Sequence, residues 1–413
     1  MVNAPDVPLV HDWSTPRPLH SVQVSDESLR DGLQSPSVRQ PPVEERVELL
    51  RLMAGLGIDA ADIGMPGSGP VAYGAVLALA GAVAREGLPI ALNCAARTVE
   101  EDIRPIAEIS AATGVPIEVM AFIGASPVRL HAEGWSVERV TAEVAASVRF
   151  AVAQGLPVCL VTEDTTRSRP ELLAALYRTA LDEGATRLCA ADTVGHATPE
   201  GTARLVSWLR TELIDRHGFT GTPLDWHGHN DRGLALANSL AALEAGADRV
   251  HGTALGIGER CGNTAMEQIL LNLHLRHAPR DLTTLAAYCA RAAEVFGRPI
   301  RDDDPVIGHD AFRTGTGVHA AAISKAPDDR TAGLVYSAVP AADLGRSQQV
   351  VVGPVSGRWN LRNWLRSHGL PEDPGCLDRL VEMAQHSDGP LSDAALLALV
   401  AEHGGQAVPG RTR

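Results

Sequence analysis

Residues 155–164 of this chain read Gly-Leu-Pro-Val-Cys-Leu-Val-Thr-Glu-Asp. A glycine–proline turn leads into a short apolar run of the kind found in strands that are buried on both faces. Two carboxylates follow where that run ends, and patterns rich in Ala, Leu, Glu and Arg, typical of helices, lie on either side. The segment therefore predicts a buried strand between two helices, with acidic side chains at its carboxyl end.

The same unit recurs between about residues 20 and 280. The predicted strands are 21–25, 60–64, 89–93, 116–122, 157–162, 187–191, 224–226 and 249–253. Eight strand–helix units in about 260 residues predict an α/β fold, specifically a (β/α)8 TIM barrel. An open doubly wound sheet is the alternative, but the Gly-x-Gly-x-x-Gly turn expected after its first strand is absent.

The rhythm stops near residue 280, and a stretch rich in Gly, Asp and Pro at 298–316 is typical of a linker. Helical patterns follow at 359–368, 377–385 and 392–403. We therefore expect an N-terminal extension at 1–20, a catalytic barrel at 21–280, a linker and first C-terminal subdomain at 281–345, and a second, helical C-terminal subdomain at 346–413.

The composition narrows the classes of function. The chain has 413 residues, 45% of them hydrophobic, and a formal net charge of −14. Such an acidic chain is unsuited to nucleic-acid binding, which depends on clustered Lys and Arg. No apolar run reaches the length of a membrane span, and residues 1–20 lack the pattern of a signal peptide. We expect a cytoplasmic protein that binds neither nucleic acid nor membrane, with six scattered cysteines that are mostly buried and reduced.

Polar side chains follow the predicted strands at the ends where a barrel of this type carries its active site. His227 and His229 end the seventh strand and point the same way, because side chains alternate faces in a strand. With Asp31 after the first strand they form a three-ligand set for a divalent metal. Arg30 adds a fixed positive charge for a developing oxyanion. An isolated His-x-His is otherwise more often a surface pair.

Seven stretches then match one family in order. They are Leu-Arg-Asp-Gly-Leu-Gln-Ser-Pro at 29–36, Glu-Asp-Thr-Thr-Arg-Ser at 163–168, Asp-Thr-Val-Gly-His-Ala-Thr-Pro at 192–199, His-Gly-His-Asn-Asp-Arg-Gly-Leu-Ala at 227–235, Gly-Ile-Gly-Glu-Arg-Cys-Gly-Asn at 256–263, Gly-Val-His at 317–319 and Ser-Gly-Arg at 356–358. This ordered set resembles the DRE-TIM metallolyases, specifically their Claisen-condensing branch of isopropylmalate, homocitrate and citramalate synthases.

The resemblance implies an acyltransferase that condenses acetyl-CoA with a 2-oxo acid on a divalent metal ion (Mg, Mn or Zn) and releases free CoA. By residue, it implies Asp31, His227 and His229 as metal ligands, with Asn263 close to the metal. It implies Arg30, Glu163 and His319 as catalytic residues, with His319 and Glu163 paired as the acid/base group.

Four residues bear on which 2-oxo acid the site would bind. The resemblance implies Thr193 and Gln34 as substrate-binding residues, and Arg129 stands where a histidine is common. An arginine at a pocket mouth suits a second anionic group on the 2-oxo acid, and the alternative is an outward-facing helix residue. Leu160 replaces an arginine that is typical of homocitrate synthases, which argues against 2-oxoglutarate.

Two further expectations follow from the resemblance. Leu33 stands at a position where the lyase branch of the family also has a leucine. The alternative function is therefore an aldol cleavage, like that of hydroxymethylglutaryl-CoA lyase, on the same metal site. In the synthases the segment after the barrel crosses to a neighbouring subunit. We therefore expect a homodimer with exchanged C-terminal segments, in which each active site receives His319 of the other chain.

Overall fold

The computed structural model describes residues 21–276 and 279–403 of the chain. The predicted N-terminal extension at 1–20 lies outside the described residues. The described residues divide into two compact units, one within Met1–Arg280 together with Ala287–Pro299 and the other within Asp281–Ala286 together with Ile300–Arg413. The predicted division of the C-terminal part near residue 345 stays a prediction.

Eight parallel strands form the first unit's closed barrel, with each strand paired to the next and the eighth paired to the first. They are β1 Gln23–Asp26, β2 Ala60–Asp62, β3 Ala91–Arg97, β4 Ile117–Gly124, β5 Val158–Glu163, β6 Arg187–Asp192, β7 Leu224–Gly228 and β8 Arg249–Gly252. The predicted (β/α)8 barrel is confirmed, and all eight predicted strands are present.

The third strand differs most from its prediction, since β3 covers Ala91–Arg97 rather than 89–93. The proline at position 89 marked a turn, and the strand begins only after it. Small residues such as Ala95 and Ala96 give no β-type signal, yet they fit the crowded barrel wall and are buried there. The seventh strand runs two residues beyond its prediction, which places His227 inside it.

Helices surround the barrel and build most of the second unit. The α-helices are α1 Val43–Gly55, α2 Pro70–Glu86, α3 Glu100–Thr113, α4 Pro127–Glu133, α5 Val137–Ala153, α6 Pro170–Asp182, α7 Pro199–Trp208, α8 Ala235–Glu244, α9 Met266–Leu275, α10 Leu285–Phe296, α11 Gly317–Ser324, α12 Asp329–Leu334, α13 Arg358–Ser367, α14 Pro374–Gln385 and α15 Asp393–His403. Local chemistry sets several ends: the Ser136 hydroxyl accepts from Arg139 N at the start of α5, and Gly114 ends α3 in the left-handed region.

The inside of the barrel is layered. Between strands β4, β5 and β6, Met120, Cys159 and Cys189 form an apolar cluster with Val161 packed against it. Towards the amino ends there is instead a charged layer. Arg249 donates to Asp225 at 2.7 Å and to Glu118 at 2.8 Å, and Arg187 donates to Asp225 at 2.8 Å. Such side chains are tolerated in an interior only when each charge is paired, as it is here.

The second unit is mainly helical, as predicted. Its two short parallel strands are β9 Arg313–Thr314 and β10 Gln349–Val350. Its apolar core joins α13, α14 and α15 through residues that include Trp364, Leu380 and Leu396. None of the described helices is long and apolar enough to cross a membrane. Five of the six cysteines are buried and unpaired, and Cys261 is exposed.

Candidate active site

A cavity of about 230 Å³ opens at the carboxyl ends of the barrel strands. Most of the side chains selected from the sequence line it, namely Arg30, Asp31, Gln34, Glu163, Thr193, His227 and His229. Its remaining lining includes apolar residues from the opposite wall: Met65, Ala95, Met120, Phe122, Val161, Cys189 and Ala191. The cavity therefore has a polar wall around β1, β7 and β8 and a largely apolar wall around β3 to β6, to which Glu163 and Thr193 add polar groups at the ends of β5 and β6.

The polar wall contains a compact group of metal-ligand atoms. His227 Nε2 lies 3.3 Å from His229 Nε2 and 3.5 Å from Asp31 Oδ2, and His229 Nε2 lies 3.8 Å from that same oxygen. A point equidistant from the three atoms is about 2 Å from each, which is the usual bond length for divalent zinc to nitrogen or oxygen. All three residues are buried. The geometry therefore fits a divalent ion.

The charges of these groups also suit a cation. Burial lowers the pKa of His227 to about 4, so its ring is neutral and free to bind a metal. Burial would raise the pKa of Asp31, but Arg30, His227 and His229 together outweigh it and the pKa is lowered. Among the described residues that line the cavity, four are carboxylates (Glu27, Asp31, Glu163 and Glu259) and Arg30 is the single Arg or Lys. A divalent ion would balance this excess of negative charge.

Asn263 supports the metal group from the loop after β8. Its Nδ2 donates to Asp31 Oδ1 at 3.0 Å and to the Ile257 carbonyl at 3.1 Å, while its buried Oδ1 has no partner among the described residues. Gly258 makes this approach possible: it adopts φ +152°, and a Cβ there would collide with the Asn263 amide. The structure thus places Asn263 beside a ligand, and its role as a ligand itself stays a prediction.

Arg30 is held by carboxylates on three sides. Its Nε donates to Asp62 at 2.7 Å, one terminal nitrogen donates to Asp31 at 3.0 Å, and the other donates to Glu27. Burial, opposed by Arg30, raises the pKa of Asp62 to about 7. A guanidinium has five N–H groups, so two remain for a ligand in the cavity. The side chain is 20% exposed, which keeps it open towards that space.

Glu163 and Thr193 sit on the neighbouring strand ends. Burial raises the pKa of Glu163, although Arg129 and Arg30 act against it. The Thr193 hydroxyl accepts from Asp164 N at 2.8 Å and keeps its own hydrogen for another acceptor. Asp164 is held at φ +58°, an uncommon conformation for a residue with a side chain, which turns the chain sharply after Glu163.

Arg129 and Leu160 lie differently from what the sequence suggested. Arg129 does not line the cavity: its guanidinium is 3.3 Å from Glu133 and packs over Trp135, and half of its side chain is exposed. Leu160 is buried, but its neighbour Val161 lines the cavity, so strand alternation directs Leu160 to the outer face of the barrel. The argument against 2-oxoglutarate from Leu160 was therefore wrong.

His319 belongs to the second unit, near the start of α11. Its ring stacks on Tyr336 with centroids 3.7 Å apart. Glu163 belongs to the first unit, and the predicted pairing of the two residues stays a prediction.

Three buried residues of the site were not selected from the sequence: Glu27, Asp62 and His251. Burial would lower the pKa of His251, but Glu27 and Asp225 on either side raise it to about 9. Asp225 and His227 alternate along β7, with His229 continuing the alternation just after its end, and Arg249 and His251 alternate along β8. That period of two in polar residues, inside strands that are otherwise apolar, was the available signal for an inward-facing charged column.

The chain is similar to proteins of known function. The model of the family described as HMGL-like matches residues 21–292. A homocitrate synthase from Methanopyrus kandleri is 34% identical over 342 residues, which cover 82% of this chain and 80% of that one. A 2-isopropylmalate synthase from Solidesulfovibrio magneticus is 36% identical over 345 residues, and the match covers 82% of this chain but only 64% of that one.

A solved structure shows the same fold. The hydroxymethylglutaryl-CoA lyase from Pseudomonas aeruginosa superposes with a TM-score of 0.56 at 22% identity, covering 67% of this chain and 94% of that one. At this identity the likeness supports the barrel architecture alone.

Proposed function

We propose that this chain, which belongs to the HMGL-like family and to the Claisen-condensing branch of the DRE-TIM metallolyases, condenses acetyl-CoA with a 2-oxo acid and releases CoA. Its relatives show that it is an enzyme of the acyltransferase type. The observation that carries the proposal is one cavity that brings together a three-ligand metal group, a guanidinium with free N–H groups and a carboxyl with a raised pKa. These are the groups that enolisation and carbon–carbon bond formation require.

Each group has a proposed task. Asp31, His227 and His229 hold a divalent ion, which polarises the ketone of the 2-oxo acid when it is bound. The two free N–H groups of Arg30 stabilise the negative charge that develops on oxygen. The Thr193 hydroxyl donates to the carboxylate of the 2-oxo acid.

The acetyl methyl group is a very weak acid, so its proton needs a base that is held close to it. We assign proton transfer to Glu163 together with His319. The raised pKa of Glu163 supports this role. A carboxyl whose pKa lies closer to neutral pH can both accept a proton and give it back. The acetyl-CoA and acid/base roles rest on the family resemblance and on this position at the cavity.

The apolar wall of the cavity bears on the side chain of the 2-oxo acid. Met65, Met120, Phe122 and Val161 face the space opposite the metal group. Arg129, from which the sequence suggested a second anionic group, is already engaged with Glu133 and Trp135 outside the cavity lining. We therefore propose a 2-oxo acid with an apolar side chain, since an anion against this wall would lose its hydration without a partner.

The test is release of free thiol from acetyl-CoA in the presence of single 2-oxo acids. Pyruvate, 2-oxobutyrate and 2-oxoisovalerate represent apolar side chains, and oxaloacetate and 2-oxoglutarate represent dianions. The proposal expects thiol release that depends on the 2-oxo acid and is at least tenfold more efficient with one of the apolar set. No thiol release with any 2-oxo acid would refute the condensation, and a preference for the dianions would refute the apolar side chain.

The lyase-like alternative gives a different result in the same assay. A lyase cleaves hydroxymethylglutaryl-CoA to acetyl-CoA without any added 2-oxo acid. Acetyl-CoA formed from that thioester, together with inactivity towards all five 2-oxo acids, would assign the chain to cleavage rather than condensation.

A further inference from the structure

Glu27 lies directly behind the metal group and is 1% exposed. Its Oε2 accepts from Arg30, and the same oxygen is 3.6 Å from His227 Nδ1, on the side of that ring opposite the metal-facing Nε2. Its Oε1 is 2.7 Å from His251 Nδ1. One buried carboxylate therefore contacts both a proposed metal ligand and the proposed oxyanion-stabilising arginine.

His251 in turn holds Glu27 in place. It is 1% exposed, and its Nε2 lies 3.1 Å from Asp225 Oδ2. Asp225 is fully buried and is fixed by Arg187 and Arg249 in the charged layer. A continuous column thus runs inside the barrel from Asp225 through His251 to Glu27, with rigid β7 and β8 carrying Asp225 and His251.

Glu27, His227 and His251 also lie close enough together to offer three ligand atoms to a second cation. Both oxygens of Glu27 are already taken, one by Arg30 and one by His251. Glu27 Oε1 and His251 Nδ1 are 2.7 Å apart, which is an ion-pair contact between a carboxylate and an imidazole. This group therefore supports the neighbouring ligands and does not form a metal site of its own.

We propose that Glu27, held by the His251–Asp225 pair, is a positioning residue that aims Arg30 into the cavity and fixes the ring of His227 with Nε2 towards the metal. Ligating histidines commonly present their second nitrogen to a carboxylate, which sets the tautomer and the ring orientation. Here a single carboxylate lies 3.6 Å from that second nitrogen, an electrostatic contact, and also accepts from the arginine. The inference rests on the proposed function, whose metal group and arginine it connects.

The experiment compares Glu27→Gln with Glu118→Gln in the full chain. Glu118 accepts from Arg187 and Arg249 in the same charged layer but touches neither Arg30 nor His227 in the described structure, so it is the matched control. Metal-stripped proteins are titrated with Mn(II), and the free ion is followed by electron paramagnetic resonance. Turnover is then measured at saturating Mn(II), with kcat and KM determined separately.

We expect Glu27→Gln to weaken Mn(II) binding by about 10- to 100-fold. At saturating metal, kcat should fall by at least about tenfold while the KM for acetyl-CoA changes little, because Arg30 acts on the transition state. Glu118→Gln should lower the unfolding midpoint and leave the Mn(II) affinity unchanged. Wild-type Mn(II) affinity and kcat in a folded Glu27→Gln protein would overturn the inference.

Glu27→Asp decides the question if the glutamine variant does not fold. It keeps the charge beside Arg30 and His251 but withdraws the carboxylate by about 1.5 Å, one carbon–carbon bond. The inference expects weaker Mn(II) binding here too, and wild-type affinity would refute it. If the wild type itself releases no thiol with any 2-oxo acid, the proposed function fails, while the Mn(II) titrations still test the role of Glu27.

Discussion

Arg30 shows how much of the site depends on single side chains. Three of its nitrogens each donate to a different carboxylate, those of Glu27, Asp31 and Asp62. A planar guanidinium can satisfy three partners in fixed directions and still present N–H groups to a substrate, whereas an ammonium is a compact point charge. The sequence indicated a cation beside a metal ligand, but it could not show that three carboxylates fix its orientation.

Arg30→Lys tests this geometry. We expect kcat to fall by about a hundredfold or more, because the charge is kept but the directed donors are lost. Arg51→Lys is the control, since Arg51 makes an exposed bidentate pair with Glu86 far from any proposed role. Turnover and circular dichroism are measured together. Near-normal kcat in folded Arg30→Lys would exclude the proposed role of the guanidinium.

Asp26 gives a prediction about pH. Burial raises its pKa to about 6 from an ordinary 3.8, and its carboxyl bonds to the Tyr288 hydroxyl and to Ser28 N. Because the pKa of Asp26 is higher in the folded state, the protonated carboxyl stabilises the fold. This stabilisation is fully present below pH 3.8 and is lost as the pH rises through 6. Ionisation at this site should therefore destabilise the protein by up to about 3 kcal/mol.

Asp26→Asn removes that titration: the amide oxygen can still accept from Ser28 N, while the Tyr288 hydroxyl, which donates to Asp26 in the wild type, accepts from the amide N–H instead. The stability of the wild type relative to Asp26→Asn should decrease between pH 4 and 6, as followed by urea unfolding at several pH values. Asp302→Asn, at an exposed position, should run parallel to the wild type. Parallel curves for Asp26→Asn as well would show that Asp26 is not titrating in this range.

At the scale of elements, glycine and proline turns together with apolar runs predicted all eight strands, because each strand is buried on both faces. Boundaries failed where the signal was weak, as in β3, whose small residues resemble neither helix nor strand. Glu27 and His251 escaped prediction for a different reason: their contact crosses from β1 to β8, the pair of strands that closes the barrel. Such closure juxtaposes residues more than 200 positions apart, which no local pattern reports.

The charged layer makes a prediction at this scale. Arg249→Met should leave Asp225 and Glu118 buried without their shared cation, which costs about 3 to 5 kcal/mol. The midpoint of urea unfolding should fall accordingly. Arg85→Met, an exposed substitution in the last turn of α2, should change the free energy of unfolding by less than about 0.5 kcal/mol. An unchanged midpoint for Arg249→Met would mean that the layer contributes nothing to barrel stability.

At the scale of the whole molecule, the residues to which we assign catalytic roles belong to two different compact units. The metal group, Arg30 and Glu163 belong to the barrel, and His319 belongs to the helical unit. The family resemblance placed His319 in an active site, and nothing local in its sequence could have done so. We propose that it acts in the site of the other chain of a homodimer with exchanged C-terminal segments.

Complementation tests this arrangement. His319→Ala and Asp31→Asn should each be inactive alone, and mixing them under conditions of subunit exchange should restore thiol release, because a hybrid dimer regains one complete site. Two His319→Ala preparations with different affinity tags serve as the control and should stay inactive. If verified heterodimers of the first pair stay inactive, the histidine acts within its own chain.

The central claim is that the chain catalyses a condensation that depends on a metal ion bound by Asp31, His227 and His229. It is tested most directly by removing the metal and adding it back. Chelation should abolish thiol release by the wild type, and one equivalent of a divalent ion per chain should restore it. His229→Ala should keep its circular dichroism spectrum, bind no ion at that stoichiometry and stay inactive, because one corner of the ligand group is gone. Full thiol release by chelated His229→Ala would contradict the account.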